Sequence, residues 1–287
     1  MEEGKRENKT LLHYWGNTPE EDYYREQKIR STESYYTSPR GLTLFTRSWQ
    51  PLQSIPPRGI IFMVHGYGND TSWTFQATPI FLAQNGFACF ALDLEGHGRS
   101  QGLKAYVPNV DDVVDDCISF FFSIPTQDPI FQNLPRFLFG ESMGGAICLL
   151  IHFKYPDFFK GAVLVAPMCR ISEKVRPKWP IPQILTSIAR FAPTLPAVPT
   201  ADLLDKSVRV PEKRIIAASN PMRYQGNPMI VSRELYEFAE SEDKSLKIYD
   251  GMMHSLLFGE TDENVGIVRA DILKWLNDRT DRTCLVE

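Results

Sequence analysis

A chain of 287 residues, 43% of them hydrophobic, is long enough to bury a sizeable core, and one domain with an inserted cap is the default expectation at this length. The formal charge of −4 comes without any Lys/Arg-rich run, which sets nucleic acid aside as a partner. The first ten residues, MEEGKRENKT, are charged throughout and carry no apolar core, and no apolar run approaches the ~20 residues of a spanning helix, so a cytoplasmic, soluble protein is expected. The cysteines at 89, 117, 148, 169 and 284 are odd in number and lack a C-x-x-C pair, which suits reduced thiols better than a disulfide framework.

In chain order, residues 1–32 form a polar lead, and two β-rich runs follow, Glu33 to Thr37 and Leu42 to Trp49, joined by Pro39-Arg40-Gly41 as a hairpin. Gly59 to Val64 and Phe87 to Leu92 are unbroken apolar runs of the kind buried on both faces of a parallel sheet, with a helical stretch, Phe75 to Gln84, between them. A helix from Val110 to Ser123, a strand from Leu134 to Phe139, a helix over Ala146 to Phe153 and a buried strand over Gly161 to Val165 continue the alternation. The pattern predicts an α/β architecture with a mostly parallel sheet between helical layers over 33–167. From 168 to 211 prolines recur among Trp179, Ile184, Leu185, Ile188 and Phe191, which reads as a cap over an apolar ligand, with a surface excursion as the alternative. Residues 212–278 return to the core with helices at Glu212 to Ala218 and Ser232 to Glu240, a strand at Ser245 to Tyr249 and a closing helix at Val265 to Leu276, and 279–287 form a tail.

The chemistry is concentrated in Gly140-Glu141-Ser142-Met143-Gly144-Gly145, a G-x-S-x-G motif placed between a strand and a helix. Two glycines permit the sharp turn that lifts a serine hydroxyl clear of a sheet, and the Met143 N–H can then face an oxyanion. A structural glycine turn is the competing reading. A nucleophilic serine needs a base, and of the five histidines His254 lies late in the chain after the last strand, in the order such hydrolases use. His152 reads as a helix-end residue, and His13 lies in the lead. His65-Gly66-Tyr67-Gly68 follows the third strand, where the Tyr67 N–H is assigned as the second oxyanion donor and His65 as scaffold, although His65 and Asp70 also fit an H-x₄-D spacing associated with acyl transfer. Gly96-His97-Gly98 is a tight turn. Asp111, Asp112, Asp115 and Asp116 read as a solvated helix face and not a metal site, and no cofactor is expected.

HGYG, DLEGHGRS, GESMGG and GMMHSLLFGE, in this order, resemble the plant monoacylglycerol lipase/caffeoylshikimate esterase family of α/β-hydrolases over roughly residues 14 to 277, and the lead from Tyr14 to Tyr24 is similar to its members as well. The resemblance implies hydrolysis of a small acyl ester, monoacylglycerol, lysophospholipid or hydroxycinnamoyl, with Ser142 as nucleophile and His254 as base, and a cap that could also touch a membrane surface peripherally. One departure stands out. In the family a helix, a sheet strand and a loop carrying the catalytic aspartate lie between the counterparts of Pro228 and Ser232, whereas only Met229-Ile230-Val231 separates them here. A strand and its crossover need about 30 residues, so one late strand and the usual acid are expected to be absent. Glu173, Asp243 and Asp250 are the substitutes weighed, and the acid is left unassigned. Cys284 to Glu287 has a C-a-a-X outline with the wrong last residue, and no prenylation is expected.

Overall fold

A computed structural model describes residues 13–52, 56–168, 204–223 and 241–280 of the chain. Its centre is a six-stranded sheet in the order β1-β2-β4-β3-β5-β6, made of β1 (Ile29–Thr37), β2 (Thr43–Pro51), β3 (Gly59–Val64), β4 (Phe87–Leu92), β5 (Arg136–Glu141) and β6 (Gly161–Val165). β1 and β2 form the expected hairpin, Thr37 facing Thr43, and β2 runs antiparallel to β4, while β4, β3, β5 and β6 are mutually parallel. The all-apolar runs behave as their composition requires: every residue of β3 and β4 is buried.

The pleat divides these side chains between two cores. Ile60, Phe62, Val64 and Leu138 pack with α3 (Val110–Gln127) and α4 (Met143–Lys154), where Phe62 stacks on Phe121 at 4.7 Å. Ile61, Met63, Phe137 and Phe139 pack on the other face with α2 (Ala77–Gln84) and the long C-terminal helix Asp262–Thr280. The lead also joins the body, through helix α1 (Glu20–Glu26) and stacked rings of Trp15 and Tyr23 at 4.4 Å. Arg47, almost fully buried on β2, holds it there by pairing with Glu20 at 3.2 Å and with Glu33.

Three expectations need correction. α3 runs to Gln127 through Pro125, because the ring occupies the last turn, where only one upstream carbonyl loses its donor. Asp116 is not on a solvated face: it is buried and ion-paired with Arg40, while Asp115 pairs with Lys154 at 2.7 Å. Ser245 to Tyr249 is not a strand, because among the described residues no neighbour offers it a ladder. It is tied instead to the C-terminal helix by Lys247 to Asp271 at 3.2 Å, by Tyr249 Oη donating to Asp271 at 2.9 Å, and by Arg279 to Asp243. Between it and β6 lies a cavity of about 580 Å³ lined by Val163, Leu164, Ile248, Ile272 and Trp275. Among the described residues β6 is the last strand of the sheet on that side. The expected helix over Ser232 to Glu240, the aromatic and aliphatic side chains of 169–203, and the junction near 228–232 lie outside the described residues.

Candidate active site

β5 delivers Ser142 at its carboxyl end, and α4 begins at the next residue. Ser142 has φ +53° and ψ −118°, a backbone conformation that side chains rarely adopt and that sites of chemistry hold against strain. Only glycine fits at two places that make the turn. A Cβ on Gly140 would collide with the Gly144 carbonyl oxygen, and one on Gly144 with the carbonyl oxygen of Val64. Backbone bonds fix the elbow from the side: Ser142 N–H donates to Val165 O at 3.0 Å, and Ser142 O accepts from Met168 N–H at 2.8 Å. Met143 is the first residue of α4, so its N–H belongs to the set that a helix leaves without an internal partner.

The loop after β3 closes over the serine. A Cβ on Gly66 would stand 3.4 Å from that of Ser142, which brings Gly66 and Tyr67 beside the nucleophile. This loop is held from below by His65, fully buried, whose Nδ1 meets Gly66 O at 2.8 Å while its Nε2 accepts from Leu94 N–H at 3.0 Å. Both ring nitrogens are thus engaged, and burial lowers the pKa of His65, so the imidazole is a neutral strut. Asp70 is likewise committed, accepting from Ser72 N–H at 2.7 Å and from Asn220 Nδ2 at 2.8 Å. Asp93, raised to about 6 by burial and by Asp70 against bonds from Arg99 and Thr71, anchors the next loop. His97, buried in the tight turn, is lowered to about 4 by burial and by the nearby His65.

His254 arrives on the loop between the unladdered segment and the C-terminal helix. Glu260, fully buried, pins that loop by accepting from Met253 N–H at 2.5 Å, from Arg209 Nε at 2.7 Å and from Asn264 Nδ2 at 2.9 Å. Ser255 N–H donates to Ser207 O at 2.9 Å, which joins the loop to α5 (Leu204–Ser207) and, through Arg209 and Val210, to α6 (Pro211–Ala218). His254 is exposed at the cleft mouth, yet desolvation by its walls lowers its pKa, which favours the neutral, basic form.

Together these parts make a cleft of about 190 Å³ in which Tyr67, Ser142 and His254 all contribute to the lining, and Met143 is the chain neighbour of Ser142. Three of the four residues expected from the sequence thus line one cleft. Among the described residues no hydrogen bond joins the Ser142 hydroxyl to His254, and such bonds commonly close only with substrate. His152 is exposed near the end of α4, as expected, and away from this lining. Asp243 pairs with Arg279 and Asp250 sits exposed in a turn, so neither lines the cleft; Glu173 lies outside the described residues. Sequence reasoning missed Glu260 and Asn220, though the run from His254 to Glu260 carried the first as an acid at fixed distance from the base. Among the described residues no cluster of side chains fits a metal ion, and no helix is long and apolar enough to cross a membrane.

This fold agrees with what the chain resembles. Residues 55–231 match the serine aminopeptidase, S33 family, and the chain belongs to it, within the α/β-hydrolase group of monoacylglycerol lipases and caffeoylshikimate esterases, which are carboxylic ester hydrolases. It is 37% identical to caffeoylshikimate esterase of Arabidopsis thaliana over 94% of this chain and 92% of that one, and 29% identical to human monoglyceride lipase over 84% and 88%. The alignment with the first runs over 308 positions, more than this chain has residues, so part of that relative faces a gap here. Among solved structures, a soluble variant of monoglyceride lipase from Saccharomyces cerevisiae superposes with a TM-score of 0.73 at 21% identity, over 86% of this chain and 94% of that one, a likeness of fold.

Proposed function

We propose that this chain hydrolyses small acyl esters through an acyl-enzyme on Ser142, with His254 as general base and the N–H groups of Met143 and Tyr67 as oxyanion donors. The observation that carries the reading is the strained elbow at Ser142, opening into one cleft with His254. As Ser142 Oγ bonds to the acyl carbon, its proton passes to His254, then to the leaving alkoxide as the acyl C–O bond breaks. Water repeats the sequence and frees the serine. Monoacylglycerols, lysophospholipids and hydroxycinnamoyl esters are the substrates proposed, by likeness to the relatives and because the 168–211 region is rich in Trp, Ile, Leu and Phe. The acyltransferase reading is disfavoured, since both nitrogens of His65 are occupied in a buried site.

We further propose that the strand and acid which relatives carry near 228–232 are missing, and that activity is reduced for that reason. Support comes from β6 being the last strand on its side and 244–249 having no ladder among the described residues, from the 580 Å³ cavity between them, and from the gapped alignment with the Arabidopsis esterase. The same observations favour a second reading, a hydrolase-fold protein that binds a ligand or partner without turnover. Hydrolysis of p-nitrophenyl esters of graded chain length by the full chain and by Ser142→Ala separates the two. Turnover that disappears in Ser142→Ala supports the esterase; no difference between the two chains supports the second reading.

A further inference from the structure

A histidine that takes a serine's proton needs a carboxylate to offset the charge it gains, and the acids near the cleft among the described residues can be taken in turn. Asp70, Asp93 and Glu260 spend their oxygens on structural donors, and Asp243 and Asp250 stand outside the cleft. Among the described residues that line the cleft, one carboxylate remains. Glu141 is the only acidic residue lining the cleft among the described residues, and the same cleft holds one serine nucleophile and one histidine.

Its placement follows from the pleat of β5. Phe137 and Phe139 point to the face packed on the C-terminal helix and on Leu257, three residues after His254. Glu141, two residues further along the strand, falls on that same face, beneath the loop that carries the base. Among the described residues nothing donates a hydrogen bond to its side chain. The charged group whose field reaches it is Arg269 on the C-terminal helix, with Tyr14 of the lead behind that arginine, and Arg223 and His254 line the same cleft. Arg269 donates through Nη2 to Ala77 O at 2.9 Å and lies 5.2 Å over the ring of Phe81, while its Nε is buried without a hydrogen-bond partner among the described residues.

We propose that Glu141 serves as the positioning acid of this chain, its carboxylate steadying His254 as the imidazolium forms during acyl transfer. The inference rests on the Ser142–His254 reading above and gives that site the acid it otherwise lacks. The proton itself moves only from Ser142 Oγ to His254 and on to the leaving alkoxide; Glu141 stays ionised throughout and supplies charge.

The test is the pH dependence of kcat/KM for p-nitrophenyl butyrate hydrolysis by the full chain, by Glu141→Gln and by Glu141→Asp, with a fluorophosphonate probe at Ser142 as the control for the reading beneath it. Burial raises Glu141 to about 7 against the pull of Arg269, whereas His254 is held below the ordinary histidine value. An acid that must be ionised therefore sets the lower limb of the unsubstituted chain. Glu141→Gln is expected to lower the plateau about a hundredfold, the low end for a positioned acid–base partner, and to move that limb to lower pH, where only His254 remains to set it. Glu141→Asp should keep the limb in place. A Gln variant whose rate falls uniformly, with the limb unmoved, assigns Glu141 a structural role and overturns the inference, as does a Gln variant of unchanged rate. Absence of any Ser142-dependent labelling or turnover in the unsubstituted chain overturns both this inference and the reading it rests on. Should Glu141→Gln fail to fold, proton NMR titration of His254 in the unsubstituted chain decides: a second inflection near that of Glu141 is expected, and a single-step curve contradicts the proposal.

Discussion

Glu260→Ala is expected to loosen the His254 loop more than any other single change outside the cleft. The wild-type carboxylate is fully buried and accepts three bonds, from Met253 N–H, Arg209 Nε and Asn264 Nδ2. Truncation removes the charge-assisted bond to Arg209, whose net value is about 1.5–3 kcal/mol, and leaves the Met253 N–H without its partner at a cost of about 1–3 kcal/mol. Arg209 is 40% exposed and can turn to water, so the lower figure applies to it, and the total is about 3 kcal/mol. Burial alone would raise the Glu260 pKa, but the bonds from Met253, Asn264 and Arg209 outweigh it and hold the group below the usual glutamate value. For an acid depressed in this way the contribution is complete above its unfolded pKa and is lost as pH falls through the folded one. The deficit of Glu260→Ala should therefore be full at neutral pH and shrink in acid below about 4. Urea unfolding followed by tryptophan fluorescence at both pH values measures it. A loss under about 1 kcal/mol at neutral pH, or one that does not shrink in acid, would refute the account of how the base is held.

Three further outcomes are expected. Gly144→Ala should abolish labelling of Ser142 by a fluorophosphonate, because its Cβ would overlap the Val64 carbonyl; retained labelling would show that the elbow can relax. Phe62→Ala, at a fully buried ring stacked on Phe121, should destabilise the fold by about 3–5 kcal/mol in urea unfolding, and a loss below about 1 kcal/mol would place that ring outside the core. A graft of the relatives' strand–acid–helix unit between Asn227 and Ser232 should raise ester hydrolysis by up to about 10⁴, and changing the grafted aspartate to alanine should cancel the gain. Hydrolysis by the ungrafted chain that already equals the grafted one would count against a missing acid.

What the sequence revealed and what it concealed divide along physical lines. β3 and β4 were legible because an unbroken apolar run can only lie inside a two-sided layer. Ser142 was legible because two glycines and a strand–helix junction leave little else for the motif to do, and His254 because few histidines compete. Ser245 to Tyr249 has a strand's composition, but a strand exists only through its neighbour's hydrogen bonds, and composition carries no record of whether a neighbour is there to make them. Asp116 looked like its solvated helix companions because Arg40, its partner, is 76 residues away in the chain. Glu141 was hidden in plain view as the variable position of the motif, its significance visible only once the pleat of β5 turned it toward the loop of His254.

The central claim is that Ser142 is a nucleophile activated by His254, and the most direct measurement is mass-spectrometric mapping of the adduct left by a fluorophosphonate. A single adduct on the peptide bearing Ser142, formed by the full chain, absent in Ser142→Ala and strongly slowed in His254→Ala, is the predicted result. No adduct on the folded chain, or an adduct at Ser142 that forms equally fast in His254→Ala, would contradict it.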